Sequence, residues 1–140
     1  MEYRKFGQTI VLRLNRSENI TEQLLNVAEK EDIHLAHVTA IGGVGHLKLG
    51  VYDPDKQAYN EYEYNGNYEI LNLTGNITEM NGQKYAHLHV LCSGEGAQAF
   101  GGHLLDSTIS LTCEMFITVL EGAVTRKRDE TLGINLFSFD

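Results

Sequence analysis

The chain is short of positive charge. Eleven Lys and Arg stand against nineteen Asp and Glu over 140 residues, a formal net charge of −8. Sequence-independent binding to nucleic acid draws its affinity from phosphates neutralised by Lys and Arg, so this balance argues against it. The one basic cluster, Arg126-Lys127-Arg128, is followed directly by Asp129 and Glu130 and reads as a solvated turn. No apolar run approaches the ~20 residues of a membrane-spanning helix, and Met1-Glu2-Tyr3-Arg4-Lys5 leads into an alternating pattern rather than a signal-peptide core. No membrane partner and a cytoplasmic location are therefore expected. Cysteine is scarce as well. Cys92 and Cys113 are the only two, each in an apolar strand-like segment without a second cysteine at metal-ligand spacing, so buried reduced thiols are expected. The single proline, in Asp53-Pro54-Asp55, marks a turn. Linkers, repeats and low-complexity tracts are missing, and residues 1–140 read as a single domain with a sizeable core.

The remainder is mostly strand. Ile10, Leu12 and Leu14 alternate with Thr9, Val11 and Arg13 in a first strand. Asn19 can cap a helix, with Glu22 three residues on, and Ile20, Leu24, Val27 and Ala28 form its apolar stripe. This is the only convincing helix. Leu35 to Ile41 reads as a strand ending at Gly42-Gly43, and Leu47, Leu49 and Val51 form another before Pro54. Tyr62 and Tyr64 alternate with glutamates, and 70–77 is a further strand. Asn81-Gly82 matches a type I′ hairpin turn. The run through Ile109, Leu111, Cys113, Met115, Ile117 and Val119 is expected to be central, and a tail strand is expected from Ile134 to Phe139.

The chemistry concentrates in His87-Leu88-His89 and Gly101-Gly102-His103. Residues two apart on a strand share a face at roughly 6–7 Å, so His87 and His89 can converge on one ion. Ala86, Leu88, Val90 and Cys92 form the opposite, apolar face, which should be core. The glycine pair gives the backbone freedom to bring His103 close. Three imidazoles plus an open position hold an exchangeable divalent metal, Zn²⁺ above all. The same H-x-H also fits polar-out residues on a half-solvated strand. Glu114 enters a buried-looking strand, where a carboxylate needs a partner or must neutralise; equally, it reads as a strand-end glutamate reaching solvent or capping nearby backbone amides. His34 and His37 read as non-ligands, and His46, after Gly45, lies in a loop that can approach a pocket.

Several blocks then agree in order and spacing: Ala40-Ile41-Gly42-Gly43-Val44, Leu49-Gly50-Val51-Tyr52-Asp53, the segment from Tyr68 to Ile77, His87-Leu88-His89-Val90, Gly101-Gly102-His103-Leu104 and Thr112-Cys113-Glu114. Together they resemble the PPC domain (plant-and-prokaryote conserved domain, DUF296), from about Phe6 to Leu120. The resemblance implies an α+β fold, a mainly antiparallel sheet with one principal packed helix, assembled as a homotrimer. It also implies that His87, His89 and His103 bind a metal. Plant members reach DNA through AT-hooks. This chain carries no Arg-Gly-Arg-Pro segment, so DNA binding by this chain alone is not expected.

Three functions follow from these features. The first is a metal-binding domain of enzyme-like character, with water or a small anionic ligand completing the shell and Glu69 and Glu114 as candidates for acid/base or supporting roles. The second is a DNA-associated regulatory protein of the same family. The third is a cupin-type metal oxidoreductase, in which Glu95, six residues past His89, would supply the acidic ligand.

Overall fold

A computed structural model describes residues 1–139. Its elements run β1 (Glu2–Phe6), β2 (Thr9–Leu14), α1 (Ile20–Lys30), β3 (Ala36–Asp53), β4 (Ala58–Met80), β5 (Gln83–Ser93), β6 (Ala99–Val119), β7 (Thr125–Asp129) and β8 (Ile134–Ser138). Mostly β-sheet with one α-helix, it is the α+β architecture expected. Asn19 holds an extended backbone ahead of the helix and its Oδ1 accepts from the Glu22 amide at 3.0 Å, satisfying one of the donors a helix start leaves open. Ile20, Leu24, Val27 and Ala28 are the buried stripe. They pack onto β5 and β6.

The strands pair in the order β1-β2-β6-β3-β4-β7-β8, and β5 joins β4 to β6. Strands β3, β4, β5 and β6 thus close into a ring, which leaves no free edge among them. Every pairing within that ring is antiparallel. The parallel contact is one bridge, Glu79 to Thr125. Asn81 and Gly82 have φ of 53° and 76° and link Met80 to its partner Gln83, as the hairpin reading requires. The core holds Leu88, Val90 and Cys92 of β5 with Leu73 and Ile77 of β4, Met115 and Ile117 of β6, and the helix stripe. Cys92 and Cys113 are free and buried.

The strand boundaries depart from the sequence reading at Gly42-Gly43, which lies inside an 18-residue strand rather than at its end. A Cβ on Gly42 would stand 2.4 Å from the Thr112 carbonyl oxygen and 2.7 Å from Cys113 Cα. The glycine therefore admits close passage of β6 against β3. Register shifts nearby, between Ala40 and Gly42 and between Val44 and His46, bend the strand without breaking it. Strand β4 likewise runs unbroken through 58–80, where the pattern suggests two strands.

Candidate metal centre

On β5 the alternation is as read: Leu88 and Val90 point into the core while His87 and His89 face the other way. The third histidine is brought in by register. His103 on β6 is the direct cross-strand partner of His89. The preceding glycines serve that pairing, in a way the sequence reading did not anticipate. Neither has a positive φ. Instead, a Cβ on Gly101 would meet the Val90 carbonyl oxygen at 2.3 Å, and one on Gly102 the Gly50 carbonyl oxygen at 2.9 Å. Two bare Cα positions let β6 lie tightly between β5 and β3.

The three rings stand 5.1, 5.1 and 5.3 Å apart, centroid to centroid. One ligand atom from each lies within 4.8 Å of the other two. His87 Nε2 and His89 Nε2 are 3.2 Å apart. Two imidazole nitrogens on a tetrahedral zinc, each at 2.0–2.1 Å, would be separated by about 3.3 Å, so this pair already has the spacing of one tetrahedral edge. His103 stacks on Tyr59 at 4.9 Å, and its Nδ1 is buried without a hydrogen-bond partner. Burial first, then His87 and His89, pushes the His103 pKa down to about 4. Burial, the charge of Arg126 and His89 lower that of His87. Both shifts favour the neutral ring, which is the form a metal takes. An all-imidazole set suits zinc, iron, nickel or copper.

The other expected residues lie elsewhere. Glu69 is exposed and pairs with Ser93, four residues along β5 from His89, a distance of about 13 Å. Glu114 is exposed between Arg13 and Ile41, eleven residues along β6 from His103, so it is not a buried carboxylate in need of a partner. Glu95 sits exposed in the 3-10 turn between β5 and β6, outside the group of ligand atoms. His46 bonds Asn65 Oδ1 at 2.9 Å, with Asp106 at 3.5 Å. His34 pairs with Glu79 and Asp32, and His37 with Thr74 Oγ1 at 3.3 Å. None of these histidines joins the centre.

Arg126 is the residue the sequence reading missed. Expected in a solvated turn, it is 6% exposed. It donates through Nε to Thr78 Oγ1 (2.9 Å), through Nη2 to Asn76 Oδ1 (2.9 Å) and through Nη1 to the Asn135 carbonyl oxygen (2.7 Å). Asn76 is itself the cross-strand partner of His87. The β7–β8 hairpin thereby forms a wall facing the triad, and between them lies a cleft of about 890 Å³. The signal was faint: an arginine alternating with Lys127 in a charged segment, opposite the tail strand that begins at Ile134.

Comparison with known proteins places this geometry in a family. The Plants and Prokaryotes Conserved (PCC) domain matches residues 1–121. Among solved structures, a protein of Bacteroides thetaiotaomicron named for an inferred DNA-binding role superposes with a TM-score of 0.95 at 30% identity, covering 99% of this chain and 96% of that one. A metal-containing protein of Archaeoglobus fulgidus does so at 0.88 and 34%, covering 98% and 96%. A plant- and prokaryote-conserved protein of Pyrococcus horikoshii gives 0.87 and 26%, covering 98% and 94%. No curated protein matches. With the domain matched over residues 1–121 and the whole fold shared with its solved members, the chain belongs to the plant-and-prokaryote conserved domain family.

Proposed function

We propose that this protein binds one divalent metal ion per chain, Zn²⁺ by preference, through His87, His89 and His103. The convergence of three imidazoles, two of them at the 3.2 Å spacing of a tetrahedral edge, carries the reading. The metal-containing relative from Archaeoglobus fulgidus supports it. Three neutral ligands leave the ion's charge uncompensated, so hydroxide, water or a small anion completes the shell. A bound ion of this kind acts as a Lewis acid or lowers the pKa of its water. The chain's own part is to hold three lone pairs in place, with Tyr59 against the His103 ring and the β7–β8 hairpin walling off one side. Metal analysis of untagged protein tests this. Occupancy near one per chain is expected, falling sharply in each single alanine variant of the triad but not in His34→Ala or His37→Ala. Occupancy that survives His87→Ala/His89→Ala would place the site elsewhere.

We propose further that the chain assembles as a homotrimer. Ile41, Leu71, Leu91, Leu111 and Phe116 are each 43–70% exposed, and Phe116 shares a cross-strand row with Thr39, Thr74 and His89. Such an apolar sheet face is one that soluble chains cover. Light scattering should return about 47 kDa, three copies of a 15.7 kDa chain; a monomer mass at micromolar concentration would end this part of the reading.

The name of the Bacteroides thetaiotaomicron relative favours a DNA-associated role as the second reading. The charge of −8 opposes it, and Arg126, the first residue of its one basic cluster, is buried and already bonded. Submicromolar, salt-sensitive DNA binding in an anisotropy titration would reverse that order.

A further inference from the structure

The triad does not fill the cleft it opens into. At about 890 Å³ the space is within the 300–1,000 Å³ of small-molecule sites. Although the chain carries nineteen acidic residues, no Asp or Glu among the described residues lines it. Two arginines do. Arg128 is exposed and tied to Glu130 at 3.7 Å. Arg126 is set into the wall, its guanidinium 4.8 Å from the Tyr85 ring centre and 4.4 Å from that of Phe137. Its three acceptors, a hydroxyl, an amide oxygen and a backbone carbonyl, are all neutral. Of five N–H donors two have no partner among the described residues, and no carboxylate of those residues pairs with it. A desolvated cation without a counter-charge is costly, and the fold pairs its other well-buried cation, Lys84, with Glu79 at 3.0 Å.

We infer that the cleft binds a small organic anion, a carboxylate with an apolar body, whose carboxylate docks on Arg126 while its body lies against Tyr59, Tyr85 and Phe137 on the way to the triad. Contact of its other end with an ion rests on the metal site proposed above. The planar fork with its two remaining N–H groups suits a carboxylate. The aromatic walls favour an organic body over a bare inorganic ion.

Calorimetric titration of EDTA-treated and zinc-loaded protein with benzoate, its neutral isostere benzamide and inorganic phosphate tests the inference. Benzoate should bind both forms, and benzamide and phosphate should bind at least about tenfold more weakly, the lower end of what a charge-assisted hydrogen bond contributes. Arg126→Met should lose a similar factor. Should that variant fail to fold, Asn76→Asp places a carboxylate on Nη2 and should cost the same factor by neutralising the guanidinium in place. Benzoate binding to metal-free protein that vanishes in either variant supports the inference even if the histidines hold no ion. Binding only to zinc-loaded protein, indifferent to both variants, would put the anion on the metal alone and overturn it while leaving the metal site intact. Equal binding of benzoate and benzamide, phosphate outcompeting benzoate, or no benzoate binding at millimolar concentration would overturn it too.

Discussion

Removing the metal should lower the melting temperature by an amount that the ligand geometry allows to be worked out. His87 and His89 lie on β5 and His103 on β6, so an ion held as proposed would tie two strands together, and only the folded chain presents the three nitrogens at once. Binding to the folded state alone stabilises by RT ln(1 + [M]/Kd), about 2.7 kcal/mol when free metal is a hundred times Kd. With an unfolding entropy of about 2.1 cal/mol/K per residue, a chain of 140 residues loses about 3.4 °C per kcal/mol. Calorimetric scans with saturating zinc and with EDTA should therefore differ by roughly 9 °C, and by more at higher metal excess. His89→Ala should melt at the same temperature in both buffers, because only two ligands remain. Equal melting temperatures for wild-type protein with and without zinc, or a zinc-dependent shift retained in His87→Ala/His89→Ala, would refute the reasoning.

Two further perturbations test how the site is built and supported. Gly75→Ala would put a Cβ 2.0 Å from the His87 carbonyl oxygen and 2.9 Å from Leu88 Cα; because these are backbone atoms, β4 and β5 must part. A loss of about 1–3 kcal/mol is expected by urea unfolding, together with reduced metal content, and an unchanged midpoint would show that the strands are not in such close register. The cluster of Asp32, His34, Glu79 and Lys84 should give stability a pH window. The hydrogen bond with Glu79, then that with Asp32, raises the His34 pKa above 6.5, with Lys84 pulling the other way. That contribution is complete below pH 6.5 and is lost as pH rises through the raised value. The hydrogen bond from Lys84 lowers the Glu79 pKa below 4.5, so its contribution is present above 4.5 and lost as pH falls through the lowered value. The difference in urea midpoint between wild type and His34→Asn should then be larger at pH 5.5 than at pH 9; a pH-independent difference would discount the pairing.

Local rules were enough to place the helix, the Asn81-Gly82 turn and two of the three histidines. The helix and its Asn19 cap follow from a 3.6-residue stripe and a side-chain acceptor next to it. The Asn81-Gly82 turn follows from two residues that tolerate positive φ. Strand alternation alone puts His87 and His89 opposite Leu88 and Val90. The block pattern shared with the plant-and-prokaryote conserved domain carried the fold beyond what periodicity reaches. Other features depended on which strands meet. Gly42-Gly43 and Gly101-Gly102 look like ends and hinges in a one-dimensional reading, yet they are points of close backbone passage, and only the partner strand's carbonyls show it. Glu114 looked buried because its strand is apolar on both faces; the sheet puts Ile41, Leu111 and Phe116 on the outer face beside it. Arg126 sits in a run of charge that reads as solvent-facing. Its burial comes from Asn76, Thr78 and Asn135, between nine and fifty residues away. By itself, the sequence determined the helix, the turn and the shared histidine face, because those are set by neighbours within a few residues. The pairing of His103 with His89 and the arginine-walled cleft were decided by tertiary structure, because each needs contacts between segments that meet only when the β3–β4–β5–β6 ring closes.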